Sequence, residues 1–237
     1  MSGPTAVVIG ASGGIGYALV EQLASSSRYA QIHALSRSPR IENARALGGF
    51  IDVTDEESVS RAAEAIRGPI DLLIVATGIL HEGDHKPERS LQNLSGAAMT
   101  RLFAVNTIGP ALVLKHFASL LAKDRRASVA VLSARVGSIS DNRSGGWYSY
   151  RASKAALNMI VRSAAIEIGR SRPEAICVAL HPGTVDTPLS GPFQRGVPPE
   201  KLFTPWRAAR QLLDVIDGLG PSESGGMFAW DGSRIGY

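Results

Sequence analysis

The chain has little cysteine, no long apolar run and no block of one charge. Its single cysteine, Cys177, excludes an intrachain disulfide and is typical of a reducing compartment, so we expect a cytoplasmic protein. Cys177 follows Ile176 in an apolar stretch, which predicts an inert thiol in the core. No apolar run approaches the roughly 18 residues that span a membrane, and the first residues lack the basic region of a signal peptide. We therefore predict no membrane association.

The charge pattern does not favour a nucleic-acid partner, although the net charge is +4. Lysine and arginine are scattered, and their densest stretch, KDRR at 123–126, is typical of a solvated helix end. Hydrophobic residues make up 44% of the chain and charged residues 19%, as in a soluble globular protein. The length of 237 residues is within the range of one α/β domain.

A metal site is also not predicted. His81 and His85 stand four residues apart, with Glu82 and Asp84 between them, but this stretch follows a strand and is predicted to be a loop. Two histidines at this spacing need a helix and a third ligand to hold zinc.

Short apolar runs alternate with helical patterns along the whole chain. The predicted strands are 6–10, 32–36, 71–77, 128–133, 175–180 and 226–230, and the predicted helices are 17–26, 55–66, 97–122, 148–169 and about 205–217. This alternation predicts an α/β fold, a Rossmann-type doubly wound parallel sheet with helices on both faces, in one domain over 1–237. Pro110 is expected to kink the longest helix.

The first predicted strand runs into a glycine-rich turn, with Gly10, Gly14 and Gly16 before a helix. Glycines permit a tight turn there and let the backbone approach a pyrophosphate at the helix N-terminus. About twenty residues further on, where an acid would bind the ribose of NAD(H), stand Ser36 and Arg37. A serine and an arginine bind a 2′-phosphate, so NADP(H) is favoured over NAD(H).

The stretch YSYRASK at 148–154 contains a candidate acid–base pair. Tyr150 and Lys154 are one helical turn apart on the same face, whereas Tyr148 has Ala152 at that spacing. A phenol with a pKa near 10 needs a neighbouring cation to exchange protons at neutral pH. Tyr150, not Tyr148, is therefore the candidate, with Lys154 expected to lower its pKa.

In order and spacing these motifs resemble the short-chain dehydrogenase/reductase family, from the glycine turn to the last strand. The matching pieces are GASGGIG (10–16), DVTD (52–55), VATG (75–78), VN (105–106), YRASK (150–154) and HPGTVDT (181–187). The stretch from 132 to 158 and the FAWDG ending at 228–232 are most similar to the carbonyl-reductase and C-factor branch.

The resemblance implies roles for these residues. Tyr150 would donate a proton to a carbonyl oxygen, Lys154 would hold the nicotinamide ribose, and Asn106 would interrupt its helix and anchor a water that relays protons. Asp52 and Val53 would meet the adenine, and Thr187 the carboxamide. The remaining residues assigned to the cofactor by this resemblance are Ser12, Ile15, Ala76, Thr77, Gly78, Pro182, Gly183 and Val185.

The chain departs from the family pattern twice. VATG lacks two asparagines that the family usually has there, so their side-chain bonds must be replaced or lost. The serine that orients the substrate carbonyl is usually three residues before a glycine, and counted from Gly137 that position is Ala134. We select Ser133 as the substitute, on the opposite strand face from Ala134 unless the strand has already ended; Ser138 is the other candidate.

The predicted function is NADP(H)-dependent reduction of a carbonyl, or the reverse alcohol oxidation, by a homo-oligomer (a dimer or tetramer). The Pro- and Gly-rich segment 183–204 is similar to the family's substrate-covering loop. Trp147 and Trp206 are expected to wall the substrate pocket or to pack. The alternative is a regulatory or signalling protein that binds the nucleotide and barely turns over, which Ala134 favours.

Overall fold

The computed structural model describes residues 3–38, 43–83 and 86–237. One eight-stranded sheet forms its centre, in the order β3-β2-β1-β4-β5-β6-β9-β10, and all neighbours are parallel except β9 and β10. Its strands are β1 (Thr5–Ile9), β2 (Gln31–Ser36), β3 (Leu47–Phe50), β4 (Leu72–Val75), β5 (Ser128–Leu132), β6 (Ile176–His181), β9 (Met227–Ala229) and β10 (Arg234–Ile235). A separate ribbon pairs β7 (Thr184–Val185) with β8 (Leu202–Phe203).

Helices cover both faces of the sheet. They are α1 (Gly14–Ser25), α2 (Glu56–Glu64), α3 (Gly96–Phe103), α4 (Gly109–Phe117), α5 (Tyr148–Ser171) and α6 (Pro205–Gly218). Side chains alternate along β1, so Val7 and Ile9 pack with α2, α4 and α5, whereas Ala6 and Val8 pack with α1 and α6. The predicted three-layer, doubly wound sheet in a single domain is confirmed.

The strand order reverses between β1 and β4. From β1 the chain continues outward to β2 and β3, and from β4 it continues the other way to β5, β6 and β9. In open parallel sheets, ligands bind outside the carboxyl ends of the strands at such a switch point. The glycine-rich turn after β1 and the VATG stretch after β4 therefore flank the expected ligand crevice.

The predicted elements differ from the structure mainly at the edges of the sheet. Strand β3 was not predicted because LGGF contains two glycines and is largely exposed, so it carries little apolar signal. The antiparallel β10 is only two residues long and was also missed. Strand β5 ends at Leu132 rather than at Ser133, which leaves Ser133 outside the alternation used to orient it.

The helix predicted over 97–122 is one helical run with a change of geometry inside it. A π-helical turn, Ala104–Ile108, separates α3 from α4 just before Pro110. Pro110 has no N–H, so the carbonyl of Asn106 lacks its ordinary helical donor four residues on. The irregularity thus lies at the π turn that precedes the proline.

The run Gly96–Leu120 is the one helix in the described ranges that is long and apolar enough to cross a membrane, so the expectation that no stretch approaches this length was wrong. It packs inside the domain instead. Val113 and Phe117 are fully buried between the sheet and the neighbouring helices. Its most apolar window is 44% buried, so the buried face accounts for part of its apolar composition.

Candidate active site

A cavity of about 180 Å³ opens at the carboxyl ends of β1, β2 and β4, and we name it the glycine-turn cavity. Loops that are far apart in the sequence converge on it. Of the predicted cofactor residues, its lining contains Gly10, Ser12, Ser36, Arg37, Asp52, Val53, Ala76, Thr77 and Gly78.

The glycines of the turn lie where side chains would not fit. Gly10 has a φ of +88°, and a Cβ there would lie 2.9 Å from the carbonyl carbon of Ala76. A Cβ at Gly16 would lie 2.1 Å from the carbonyl oxygen of Gly10, and one at Gly14 would lie 2.8 Å from Cγ2 of Thr187. The turn is therefore closed against the loop after β4 and the segment after β7, and the N-terminus of α1 can face an anion.

Polar groups from the loops after β2 and β3 also line this cavity. Ser36 is buried and its hydroxyl donates to the carbonyl of Ser38 (2.8 Å), while Arg37 is exposed. Asp52 accepts from the Thr54 amide (2.9 Å) and the Thr54 hydroxyl (2.7 Å), and these bonds lower the pKa of Asp52. Asp52 is thus a loop-capping carboxylate, and Asp55 caps α2.

Asn106, fully buried in the π turn, holds the loop after β4. Its Oδ1 accepts from the amide of Ile79 and its Nδ2 donates to the Ile79 carbonyl, both at 2.8 Å. Nδ2 also donates to the hydroxyl of Ser153 on α5 (3.1 Å). Asn106 thereby supplies side-chain bonds to a loop that lacks the two asparagines expected of VATG.

Tyr150 and Lys154 are both buried in the first turns of α5. The ammonium of Lys154 lies 6.0 Å from the centroid of the Tyr150 ring and donates to the carbonyl of Leu132 (2.9 Å). A Cβ built on Gly78 would lie 3.4 Å from both Lys154 Nζ and Asn106 Oδ1. The lysine, the asparagine and the edge of the glycine-turn cavity therefore meet at one point.

Burial controls the protonation of this pair. It raises the pKa of Tyr150 to about 12 and lowers the pKa of Lys154 to about 8. Desolvation therefore dominates the pKa of Tyr150 here, and the lowering of that pKa by Lys154 together with an oxidised nicotinamide stays a prediction. At pH 7 the phenol is protonated, and most of the lysine is charged.

A second cavity, of about 360 Å³, lies beside Tyr150 and is mostly apolar; we name it the tyrosine cavity. Of the predicted residues it is lined by Ile15, Ser133, Tyr150, Pro182, Gly183, Val185 and Thr187. Trp147 and Phe193 form its wall, with ring centroids 5.2 Å apart in an edge-to-face arrangement. Phe193 belongs to the segment 183–204, which contributes several residues to the lining of the cavity.

The two candidate serines lie in different surroundings. Ser133 lines the tyrosine cavity, and its hydroxyl donates to Oδ1 of Asn158 (2.7 Å). Ser138 is outside that lining, and its hydroxyl lies 3.3 Å from that of Ser140. Ala134 also lines the cavity. Ser133 and Ala134 both follow the end of β5, so the alternation of side chains along a strand no longer places them on opposite faces.

Glu88 is a buried carboxylate that the sequence analysis did not select. Its Oε2 accepts from the amide of Ser149 (3.2 Å), and Oε1 accepts from the Ser149 hydroxyl. Its carbonyl accepts from the amide of Trp147 (2.5 Å), a residue held at a φ of +53°. Glu88 thus completes the N-terminus of α5 and positions the aromatic wall. A lone glutamate in a loop carries no pattern that predicts this.

His181 was also missed, although it directly precedes Pro182. It lines the tyrosine cavity, and its buried Nδ1 has no hydrogen-bond partner among the described residues. Burial, helped by the charge of Arg135, lowers the pKa of His181 to about 4. The imidazole is therefore neutral at pH 7.

The remaining candidates have other surroundings. Nε2 of His81 lies 3.2 Å from the Pro188 carbonyl, and Glu82 pairs with Arg101; Asp84 and His85 lie outside the described residues. Within the part of the chain that is described, no three His, Cys, Asp or Glu side chains cluster as metal ligands. Trp206, in the first turn of α6, is exposed and faces α1 outside the lining of the tyrosine cavity, in contrast to Trp147.

Cys177 is fully buried in β6, as predicted for a core thiol. Burial raises the pKa of this thiol to about 12, so it is protonated at neutral pH.

Comparison with known proteins extends over the whole chain. C-signal of Myxococcus xanthus is 36% identical over 175 residues, which cover 73% of this chain and 96% of that protein. The 1-hydroxy-2-glutathionyl-2-methyl-3-butene dehydrogenase of Rhodococcus sp. (strain AD45) is 31% identical over 238 residues, covering 98% of each.

Solved structures share the fold. NADPH-bound carbonyl reductase from chicken fatty liver superposes with a TM-score of 0.84 at 24% identity, covering 100% of this chain and 95% of that one. Carbonyl reductase Sniffer of D. melanogaster gives a TM-score of 0.85 at 20% identity, with 100% of both chains covered. The short chain dehydrogenase family profile matches residues 4–197. The family match, these relatives, the glycine turn and the Tyr150–Lys154 pair all agree. The chain belongs to the short-chain dehydrogenase family of oxidoreductases.

Proposed function

We propose that this protein uses NADP(H) to reduce the carbonyl group of an aldehyde, a ketone or a quinone, or to oxidise the corresponding alcohol. One observation carries the proposal. The buried Tyr150–Lys154 pair links two cavities: Tyr150 lines the apolar tyrosine cavity, and Lys154 Nζ lies beside Gly78 at the edge of the glycine-turn cavity, so a cofactor and a carbonyl can share one proton donor.

The residues present fit a nicotinamide dinucleotide. The three glycines form a cradle that side chains would fill, and the N-terminus of α1 offers backbone amides to a pyrophosphate. The hydroxyl of Thr77 is buried without a protein partner within the described residues, so a ligand can supply one. Ser36 and Arg37 line the cavity at the end of β2, where an NAD(H)-binding chain would carry an acid, and this supports NADP(H) over NAD(H).

When bound, the nicotinamide supplies or accepts the hydride. The chain's part is to manage the proton. Tyr150 is protonated at pH 7 and can donate to the oxygen that becomes negative as the carbonyl is reduced. The charged Lys154 beside it stabilises the phenolate that donation leaves behind. Pro110 cannot donate to the Asn106 carbonyl four residues earlier, and this carbonyl would hold a water that returns a proton through Lys154.

The substrate oxygen needs a second donor beside Tyr150. Ser133 lines the tyrosine cavity, and rotation of its hydroxyl from Asn158 toward the cavity would supply that bond. The apolar lining excludes water and suits a carbonyl carried on a hydrophobic group. We further propose a cytoplasmic homo-oligomer, a dimer or tetramer, without a nucleic-acid partner.

A second candidate function is signalling with little turnover. It is favoured by Ala134 at the usual serine position and by the 36% identity to C-signal. In that case the nucleotide would bind while carbonyls would not be reduced.

The experiment follows NADPH oxidation at 340 nm with a panel of aldehydes, ketones and quinones, and repeats it with NADH. Binding of both nucleotides is measured separately by calorimetric titration. We expect turnover of at least one carbonyl, with a higher kcat/KM for NADPH than for NADH. Tight NADPH binding with no turnover of any carbonyl would favour the signalling function. Failure to bind either nucleotide would contradict both candidates.

A further inference from the structure

Arg101 of α3 lines the glycine-turn cavity, together with Ser36, Arg37 and Asp52, and the sequence analysis did not select it. Its guanidinium meets Glu82 in two parallel contacts, Nε to Oε2 at 2.8 Å and Nη2 to Oε1 at 2.9 Å. A guanidinium uses this same planar fork to bind phosphate.

Two cations lie near two carboxylates here: Arg37, Arg101 and Asp52 line the cavity, and Glu82 pairs with Arg101 beside it. The pKa of Glu82 is lowered mainly by the hydrogen bond from Arg101, and the charge of Arg37 adds to it. The pKa of Asp52 is lowered mainly by its bonds to Thr54, with smaller effects of Arg37 and Arg101. Arg37 and Arg101 therefore act on the same carboxylates, and the four charges sum to zero.

The Arg101–Glu82 pair is exposed enough to exchange partners. The side chain of Arg101 is 37% exposed and that of Glu82 is 50% exposed. Solvent screens such a pair, so it contributes little to stability. A phosphate carries about two negative charges and three acceptor oxygens, so it competes well with one carboxylate for the same fork.

We propose that Arg101 binds the adenosine 2′-phosphate of NADP(H) beside Arg37, and that Glu82 competes with this phosphate for it. The proposal rests on the proposed function, because it requires NADP(H) in the glycine-turn cavity. It makes Glu82 a determinant of cofactor preference: the carboxylate weakens NADPH binding and leaves NADH binding nearly unchanged.

The pyrophosphate of either cofactor is a second possible partner of Arg101 in the same cavity. Adenosine 2′,5′-bisphosphate has the 2′-phosphate but no pyrophosphate, whereas ADP has the pyrophosphate but no 2′-phosphate. Calorimetric titration of the full chain with these two nucleotides, and with NADPH and NADH, separates the two partners without measuring turnover.

We expect Arg101→Gln to weaken binding of adenosine 2′,5′-bisphosphate and NADPH about tenfold, as for loss of a charge-assisted contact. ADP and NADH should change by less than about twofold. Glu82→Gln should strengthen the two 2′-phosphorylated ligands about threefold, because one nearby negative charge is removed. The matched control pair is Arg28→Gln and Asp217→Asn, an exposed salt bridge beyond the glycine-turn cavity, which should change none of the four affinities.

Equal weakening of all four ligands by Arg101→Gln would assign Arg101 to the pyrophosphate or to structure, and the proposal would be wrong. Unchanged affinities in both variants would also contradict it. If Arg101→Gln does not fold, Glu82→Gln alone tests the proposal. An unchanged NADPH affinity in Glu82→Gln would show that Glu82 does not compete with the 2′-phosphate. If the parent protein binds neither NADPH nor NADH, the proposed function itself is wrong. If the parent binds NADPH and the variants behave otherwise than expected, only the role of Arg101 and Glu82 is wrong.

Discussion

At the scale of single residues, two tyrosines two positions apart have different neighbours. Tyr150 has Lys154 one turn away and lines the tyrosine cavity, whereas Tyr148 has Ala152 there and is outside its lining. Tyr150→Phe removes the only hydroxyl of that side chain and keeps the ring. We expect kcat for a turned-over carbonyl to fall by about 10²–10⁴-fold, the usual contribution of general acid catalysis, with NADPH affinity retained.

Tyr148→Phe is the matched control for this measurement and should keep kcat within about threefold of the parent. A Tyr150→Phe variant that keeps parental kcat would defeat the proton-donor role. A loss of kcat in Tyr148→Phe alone would assign the proton-donor role to Tyr148.

Ser133 and Ser138 can be compared in the same way. Ser133 lines the tyrosine cavity and Ser138 does not, so only Ser133→Ala should remove a donor to the substrate oxygen. We expect kcat to fall by about 10²-fold or more for Ser133→Ala and to stay near the parent for Ser138→Ala. Steady-state kinetics with one carbonyl tests this. If neither serine matters, another donor holds the oxygen, and the neutral His181 imidazole in the same cavity is the next residue to test.

At the scale of elements, the N-terminus of α5 depends on a residue from a distant loop. Trp147, the residue before the helix, gives no side-chain cap, and Glu88 takes that place by accepting from the amide and hydroxyl of Ser149. A buried carboxylate there also meets the positive end of the helix dipole. Glu88→Gln should therefore lower the free energy of unfolding by about 1–2 kcal/mol in urea titrations.

Glu88→Gln should also raise KM for the substrate more than it lowers kcat, because the Glu88 side chain holds Ser149 in the first turn of α5, directly after Trp147 and Tyr148 at the tyrosine cavity, while the backbone bond to Trp147 is retained. Glu57→Gln in the exposed first turn of α2 is the control, and it should change the unfolding free energy by less than about 0.5 kcal/mol. A purely structural Glu88 would lower stability in Glu88→Gln and leave KM unchanged.

At the scale of the whole molecule, the buried Lys154 lowers stability. Burial shifts its pKa from 10.5 to about 8, so the folded chain holds the charged form less readily than the unfolded chain does. Lys154→Met should remove this cost and raise the free energy of unfolding by about 1–3 kcal/mol at pH 7 while abolishing turnover. Parallel urea titrations and NADPH assays check both effects.

The pH dependence of this difference has a definite sign. Below about pH 8 the lysine is charged in both states and the full cost is present. Between pH 8 and 10.5 the unfolded chain holds a proton that the folded chain has lost, so parental stability recovers and the advantage of Lys154→Met shrinks. Lys123→Met, at an exposed lysine, should show no such trend. A difference that is constant up to pH 11 would contradict the buried-charge explanation.

The sequence by itself determined the features that depend on near neighbours in the chain. The alternation of apolar runs and helical patterns specified a parallel sheet with helices on both faces, because that pattern can be buried in few other ways. The glycine spacing after β1 and the Tyr150–Lys154 spacing located the site, since a tight turn and one helical turn are local geometries.

Only the tertiary structure decided which distant residues meet. Strands β3 and β10 are held by pairing at the two sheet edges, so their own residues carry little signal. Glu88 reaches α5 across 61 positions, and Arg101 reaches Glu82 across 19. The end of β5 before Ser133 decided which serine lines the cavity. The loops meet at the carboxyl edge because the sheet order brings their strands together, and no periodicity in the chain encodes that order.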